Sequence, residues 1–200
     1  MARPLATQQI GSSELLTPEQ ARELIRAASG RAPTGIRNRA LIVTLYRAGL
    51  RPNEALALRP ADVDIEAGTL AVAGTGSRAG RLAAIDPGSG EVLARWLDRR
   101  ARLDLGDSEH LFCTLRGQPL HASYLRELLP RLAQRAGIEQ RVHAMGLRYL
   151  CAAELAAEGV PTEVIEAQLG VVPPGPARRY MPQVTPEDLV AHMRAREWSL

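Results

Sequence analysis

From Leu15 onward, apolar positions recur every three or four residues, the spacing of helices with one buried face. Two stretches break the rhythm: a glycine-rich run over 63–85 and a proline-rich run over 173–176. In LTPEQARELIRAAS, Thr17 is placed as an N-cap, Pro18 as the first helical residue and Gln20 as a capping-box partner. GIRNRALIVTLYRAGL follows with Ile36, Ala40, Val43, Leu45 and Leu50, which predicts an amphipathic helix stopping near Gly49. Pro52 suits the first turn of a short helix over RPNEALAL, so Arg51 stands at its mouth. Pieces at 63–65, 70–73 and 82–85 predict a small antiparallel sheet, with Arg78 and Arg81 projecting from the tip of the GTGSRAGR turn. Helices return at EVLARWLDRRARL and SYLRELLPRLAQRAG, the second carrying Pro130 as a potential kink, and an extended LFCTLRGQPL separates them.

The last third predicts three more helices. Gly159 and Gly170 are placed as C-caps, Pro161 and Pro186 in first turns, and Thr185 as an N-cap. Between Gly170 and Thr185 lies VVPPGPARRYM, an exposed arm that sets Tyr180 beside Arg178 and Arg179. The pattern is mainly α with one small antiparallel β-sheet. It predicts a short tail over 1–14 and one domain over 15–200.

Composition changes this picture in three ways. Cys113 and Cys151 are far apart, and no CxxC pair or leader is seen, so both are expected to be buried thiols of a cytoplasmic protein. No apolar run is long enough to span a bilayer, and no membrane partner is expected. All 25 basic residues are arginine. Guanidinium forks match phosphate geometry and keep their charge, which favours a phosphate-rich partner, although a GC-rich genome would also exchange lysine for arginine.

The order GLRPNEALAL, hairpin, LRYLCAAELAAEG, EAQLG and tyrosine arm resembles the catalytic domain of the tyrosine recombinases, the phage integrase and Xer-like family, over roughly residues 15–197. Arg148 precedes Val171 by 23 residues and Val171 precedes Tyr180 by nine, spacings that fit the family without a gap. The resemblance implies the integrase catalytic-domain fold, double-stranded DNA as partner, and cleavage of one strand through a 3′-phosphotyrosine. It implies no metal or other cofactor. Arg51 and Arg148 take the places of the two arginines that clamp the scissile phosphate, and Tyr180 that of the nucleophile.

Three other positions depart from the pattern. Arg78 stands at the family's lysine, with Arg81 nearby, and arginine scarcely releases a proton at neutral pH. Met145 stands where the family has a histidine three residues before the second arginine, and Val171 replaces the histidine of LGH. His143 is a candidate substitute. If the backbone before Arg148 is extended, however, a two-residue shift moves its ring by roughly 7 Å, and the alternative is that His143 caps or packs beside the helix start. Arg51 with Glu54 could equally be a surface ion pair, Arg148 a cap on neighbouring carbonyls, and Tyr180 a packed ring.

Two DNA readings follow: a recombinase of reduced or lost activity, or an inactive DNA-binding or accessory protein of the same fold. A helical protein-interaction domain is the third alternative. Only a short tail precedes Leu15, where family members usually carry a DNA-clamping helical domain. The expectation is therefore a catalytic domain without that partner domain, or a fragment, with site choice depending on a partner recombinase. The terminal TPEDLVAHMRAREWSL looks like the helix that relatives pass to a neighbouring protomer, which implies a homo-oligomer. Its apolar stripe, Leu189 and Met193, is interrupted at Arg196, Trp198 is a further anchor, and the alternative is that the helix folds back on its own domain.

Overall fold

Thr17 accepts the Gln20 backbone N–H on its hydroxyl (3.2 Å), while the Gln20 side chain accepts the Thr17 N–H (2.9 Å). This reciprocal box starts α1 (Pro18–Arg26), as expected from the residue types. The computed structural model describes residues 15–76, 79–103, 105, 109–171 and 184–200. The proline-rich arm with Tyr180, and Arg78 at the turn, lie outside the described residues.

Helix α2 (Pro33–Tyr46) corrects one expectation, because it is buried on nearly every side rather than amphipathic. It is packed by α1, by α4 (Pro87–Ala101) and by α6 (Ala144–Ala157). Its polar side chains are tolerated there because each has an internal partner. Arg37 donates to the Cys113 carbonyl (2.6 Å) and the Tyr124 hydroxyl, and Thr44 bonds back to the Ala40 carbonyl. Arg47, just past the helix end, pairs with Asp86 (2.9 Å) and Glu154 (2.7 Å). Glu154 also accepts from the Tyr46 hydroxyl and from Arg196. Glu154→Ala would leave two buried guanidiniums short of a counter-charge, although Asp86 and Glu158 remain. It should lower unfolding free energy by roughly 3 kcal/mol in urea denaturation, more than Glu154→Gln.

Short helix α3 (Pro52–Ala57) leads through a 3-10 turn at Pro60–Asp62 into the sheet. Strands β1 (Val63–Asp64), β2 (Thr69–Val72) and β3 (Arg81–Ala84) lie in that order, antiparallel, with Leu70 opposite both Val63 and Ala83. Arg81 is therefore not at a hairpin tip. It opens β3 opposite Val72, and its side chain folds back toward α3. In the connection from α4 to α5 (Ala122–Arg135), the expected extended stretch doubles back through a bridge between Cys113 and Pro119.

The backbone before Arg148 is also not extended. α6 begins at Ala144, which puts Met145 and Arg148 one helical turn apart. Pro161 is the N-cap of α7 (Thr162–Leu169) rather than part of its first turn. That helix ends at Gly170 in the left-handed conformation (φ 59°).

The last helix, α8 (Pro186–Arg194), packs Leu189 and Met193 with Ala84, Cys151, Leu155, Val164 and Leu169 of its own domain. Arg196, the break in the stripe, is buried and holds Glu158 through two bonds of 2.6 and 2.8 Å. Trp198 lays its ring over the Arg47 guanidinium. Its carbonyl sits so close to Gly88 that a Cβ there would come within 1.9 Å, so only glycine fits. The tail docks on its own chain. Cys113 and Cys151 are both buried free thiols, and burial pushes Cys151 up to about 12, keeping it protonated.

Candidate phosphate-binding site

Arg51 and Arg81 converge on Glu54, and a third arginine, Arg148, ties the turn beside them to the end of α7. Gly49 turns the chain after α2 with φ 65°, Arg51 follows with extended backbone, and Pro52 fixes the start of α3. Glu54, three residues on, accepts the Arg51 backbone N–H (2.9 Å) and one terminal nitrogen of its guanidinium (2.7 Å). Arg81 reaches across from β3 and donates to both oxygens of the same carboxylate at 2.9 Å. Four donors thus fill the roughly four acceptor positions of a carboxylate. This is not the surface pair that helical spacing suggests: Glu54 is 7% exposed and its carboxyl is pulled down to about 2. Burial opposes that shift and is outweighed by the bonds from Arg81 and Arg51.

The depressed value makes a stability prediction. The Glu54 contribution is complete above the ordinary value of 4.5 and is lost as pH falls from there toward about 2. Thermal unfolding from pH 7 to 2.5 should therefore show a steeper acid limb for the wild type than for Glu54→Gln. Parallel acid limbs would mean that Glu54 carries no such linkage.

Arg148 comes from the second turn of α6 and is 4% exposed. It donates to the Gly49 carbonyl (2.5 Å) and the Leu169 carbonyl (2.7 Å), joining the turn before Arg51 to the end of α7. Desolvation first, then the charges of Arg51 and Arg81, lower its pKa to about 10, with Glu54 acting in the opposite direction. It stays protonated at neutrality. The cluster sets three guanidiniums against one carboxylate, an excess of positive charge that an anion would relieve.

These arginines also hold the root of the proline-rich arm. The last carbonyls of a helix have no partner within it. At the end of α7, Gln168 accepts from Arg81 (3.2 Å), Leu169 from Arg148 and Gly170 from Arg51 (3.3 Å). A Cβ on Gly170 would lie 2.7 Å from the Arg81 side chain, so both the left-handed φ and the close packing select glycine. Gln168 is wholly buried and bonds to both backbone groups of Ala84 and to the Ala48 carbonyl, fastening α7 to β3.

Of the residues singled out in the sequence, Arg51 and Arg148 come together here. Arg78 and Tyr180 are outside the described residues. His143 is the N-cap of α6, its Nδ1 accepting the Gly146 N–H (2.9 Å). Val171 is 43% exposed. The sequence reading missed Arg81 as a cluster member and did not single out Gln168. The one visible signal for Gln168 is an amide between apolar residues just before the Leu-Gly helix stop. Among the described residues no group of acidic, histidine or cysteine side chains could hold a metal ion, and no helix is long and apolar enough to cross a membrane.

The domain is mostly helical, and Arg51, Arg81 and Arg148 gather around the turn between α2 and α3. The chain belongs to the phage integrase family, whose model matches residues 14–183. It is 33% identical over 157 residues to tyrosine recombinase XerD of Ralstonia nicotianae and 31% over 163 residues to tyrosine recombinase XerC of Pelotomaculum thermopropionicum. Each match covers 78% of this chain, and the chain spans about half the length of these relatives, 51% and 53%. The XerA recombinase structure superposes with a TM-score of 0.73 at 26% identity, over 80% of this chain and 56% of that one. The XerH recombinase in a pre-cleavage complex with its difH substrate superposes with a TM-score of 0.67 at 26% identity, over 80% of this chain and 47% of that one.

Proposed function

We propose that this domain binds double-stranded DNA and breaks and rejoins one strand through Tyr180 in site-specific recombination. The observation that carries the reading is the convergence of Arg51 and Arg148 at the root of the arm that bears Tyr180, in a chain similar to recombinases solved on DNA. Two of the five N–H groups of Arg148 are used on the Gly49 and Leu169 carbonyls. Others, with those of Arg51, would face the non-bridging oxygens of the scissile phosphate and offset the charge that grows as the tyrosine oxygen attacks. The new bond joins that oxygen to phosphorus, the bond to the 5′-oxygen breaks, the phenolic proton passes to solvent, and the departing 5′-oxygen takes a proton from water.

Protonation of the leaving 5′-oxygen is the weak step. The chain has no lysine, arginine at position 78 is a poor acid, and Met145 and Val171 have no proton to give. General acid catalysis contributes roughly 10²–10⁴-fold, so cleavage by this chain should be slow by about that factor. The same observation supports the second reading, a DNA-binding or accessory protein that has lost cleavage.

The cis-docked tail bears on assembly. We infer that self-association through α8 requires Leu189, Met193 and Trp198 to leave their own domain first, and that pairing with a partner recombinase would supply site choice. Both DNA readings predict binding to a generic duplex that weakens steeply with salt, as arginine–phosphate contacts release counter-ions. Fluorescence anisotropy between 50 and 300 mM salt checks this. No binding at the lowest salt would favour the protein-interaction alternative.

A further inference from the structure

Arg81 has no role in the reaction as set out above, yet it makes the most contacts in the cluster. It takes both oxygens of Glu54 and the Gln168 carbonyl, and it is packed against Gly170. Arg51 holds the same carboxylate through one terminal nitrogen, and its other terminal nitrogen makes the longest bond of the cluster, 3.3 Å to the Gly170 carbonyl. Arg51 is also the most open of the three, with 23% of its side chain exposed against 14% for Arg81. A paired fork on a carboxylate is the stronger arrangement, so a carboxylate left with vacant acceptor positions draws a neighbouring arginine into bidentate contact.

We propose that Arg81 is a positioning residue: by occupying both oxygens of Glu54 it restricts the Arg51 guanidinium to a single contact there and keeps the rest of that guanidinium available to a phosphate diester. Glu54 is then the internal competitor of the phosphate, and Arg81 is what holds the competition in check. Without Arg81, two acceptor positions on Glu54 open, and the weakly held terminal nitrogen of Arg51, on a guanidinium already bonded to Glu54, is a donor able to take one of them. The proposal rests on the reading of Arg51 as a phosphate ligand.

The test follows the side-chain Nε–H signals of Arg51 and Arg148 in two-dimensional NMR as inorganic phosphate is titrated at constant ionic strength. Wild type, Arg81→Gln, Arg81→Lys and the double variant Glu54→Gln with Arg81→Gln are compared, each first checked for a native spectrum. Arg81→Gln should weaken phosphate binding at Arg51 roughly tenfold, the worth of one charge-assisted hydrogen bond. Arg81→Lys should fall between it and wild type, since an ammonium cannot span both oxygens. The double variant should recover most of the loss, because the competitor is gone. A merely structural Arg81 would leave the double variant as weak as the single one or weaker, and that result overturns the proposal. So would unchanged binding in Arg81→Gln. Should that variant fail to fold, Arg81→Lys decides: affinity equal to wild type overturns the proposal, and an intermediate value supports it. If the wild type itself shows no phosphate-dependent shift at Arg51 or Arg148, the phosphate-site reading fails and the proposal with it.

Discussion

Arg148→Ala should reduce covalent DNA adduct formation by roughly 10²–10³-fold, the scale found when one fixed donor to a developing oxyanion is removed. It should also lower stability by about 2–4 kcal/mol, because the carbonyls of Gly49 and Leu169 would lose their donor in a buried setting. The two effects have separate origins. One is lost charge at the phosphate, and the other is lost connection between the turn before Arg51 and the end of α7. Arg148→Lys separates them: the ammonium keeps the charge but cannot reach both carbonyls in the fork geometry. Single-turnover rates measured well below each variant's Tm should show Lys between Ala and wild type in rate, while its Tm stays close to that of Ala. Equal rates in all three would remove Arg148 from the reaction.

Local signals made much of the fold legible. Thr17 and Thr185 cap helices because their hydroxyls meet the third backbone N–H of the following turn, and both were visible as Thr-Pro steps. The sheet was legible from β-prone pieces between glycines, and Gly170 from its place after an apolar helix end. What escaped depends on pairs distant in sequence. The burial of α2 could not be read from periodicity, since Arg37 and Arg47 are satisfied by Cys113, Tyr124, Asp86 and Glu154, none of them local. Arg196 looked like a flaw in an apolar stripe because its partner Glu158 is 38 residues away.

The site divides in the same way. The resemblance to the tyrosine recombinases singled out Arg51 and Arg148, but their neighbour Glu54 was assigned to the wrong environment. Helical spacing makes Arg51 and Glu54 look like an exposed pair; only the return of Arg81 from β3 turns Glu54 into a buried four-donor acceptor. The starting point of β3 decides whether Arg81 sits at a tip or in the cluster, and turn length is a weak signal in a run of glycines. His143 was weighed on the assumption of extended backbone, whereas α6 starts at Ala144 and uses its ring as a cap.

The larger expected effect belongs to Tyr180. Removing a nucleophile's oxygen should abolish the covalent step, a loss of roughly 10⁴-fold or more, with DNA binding nearly unchanged since a phenol oxygen adds little to binding carried by arginine–phosphate contacts. Because the chain is short of a general acid, a leaving group that needs no proton should expose the chemistry most clearly. The deciding measurement uses a pool of randomised duplexes in which a bridging sulfur replaces the 5′-oxygen of the cleavable linkages, followed by denaturing gel and mass spectrometry of the adduct. The account predicts a protein–DNA adduct on Tyr180, attached to a 3′-phosphate, absent in Tyr180→Phe, and formed roughly 10²–10⁴-fold faster than on all-oxygen DNA. No adduct even with the sulfur leaving group, or one that persists in Tyr180→Phe, would contradict it.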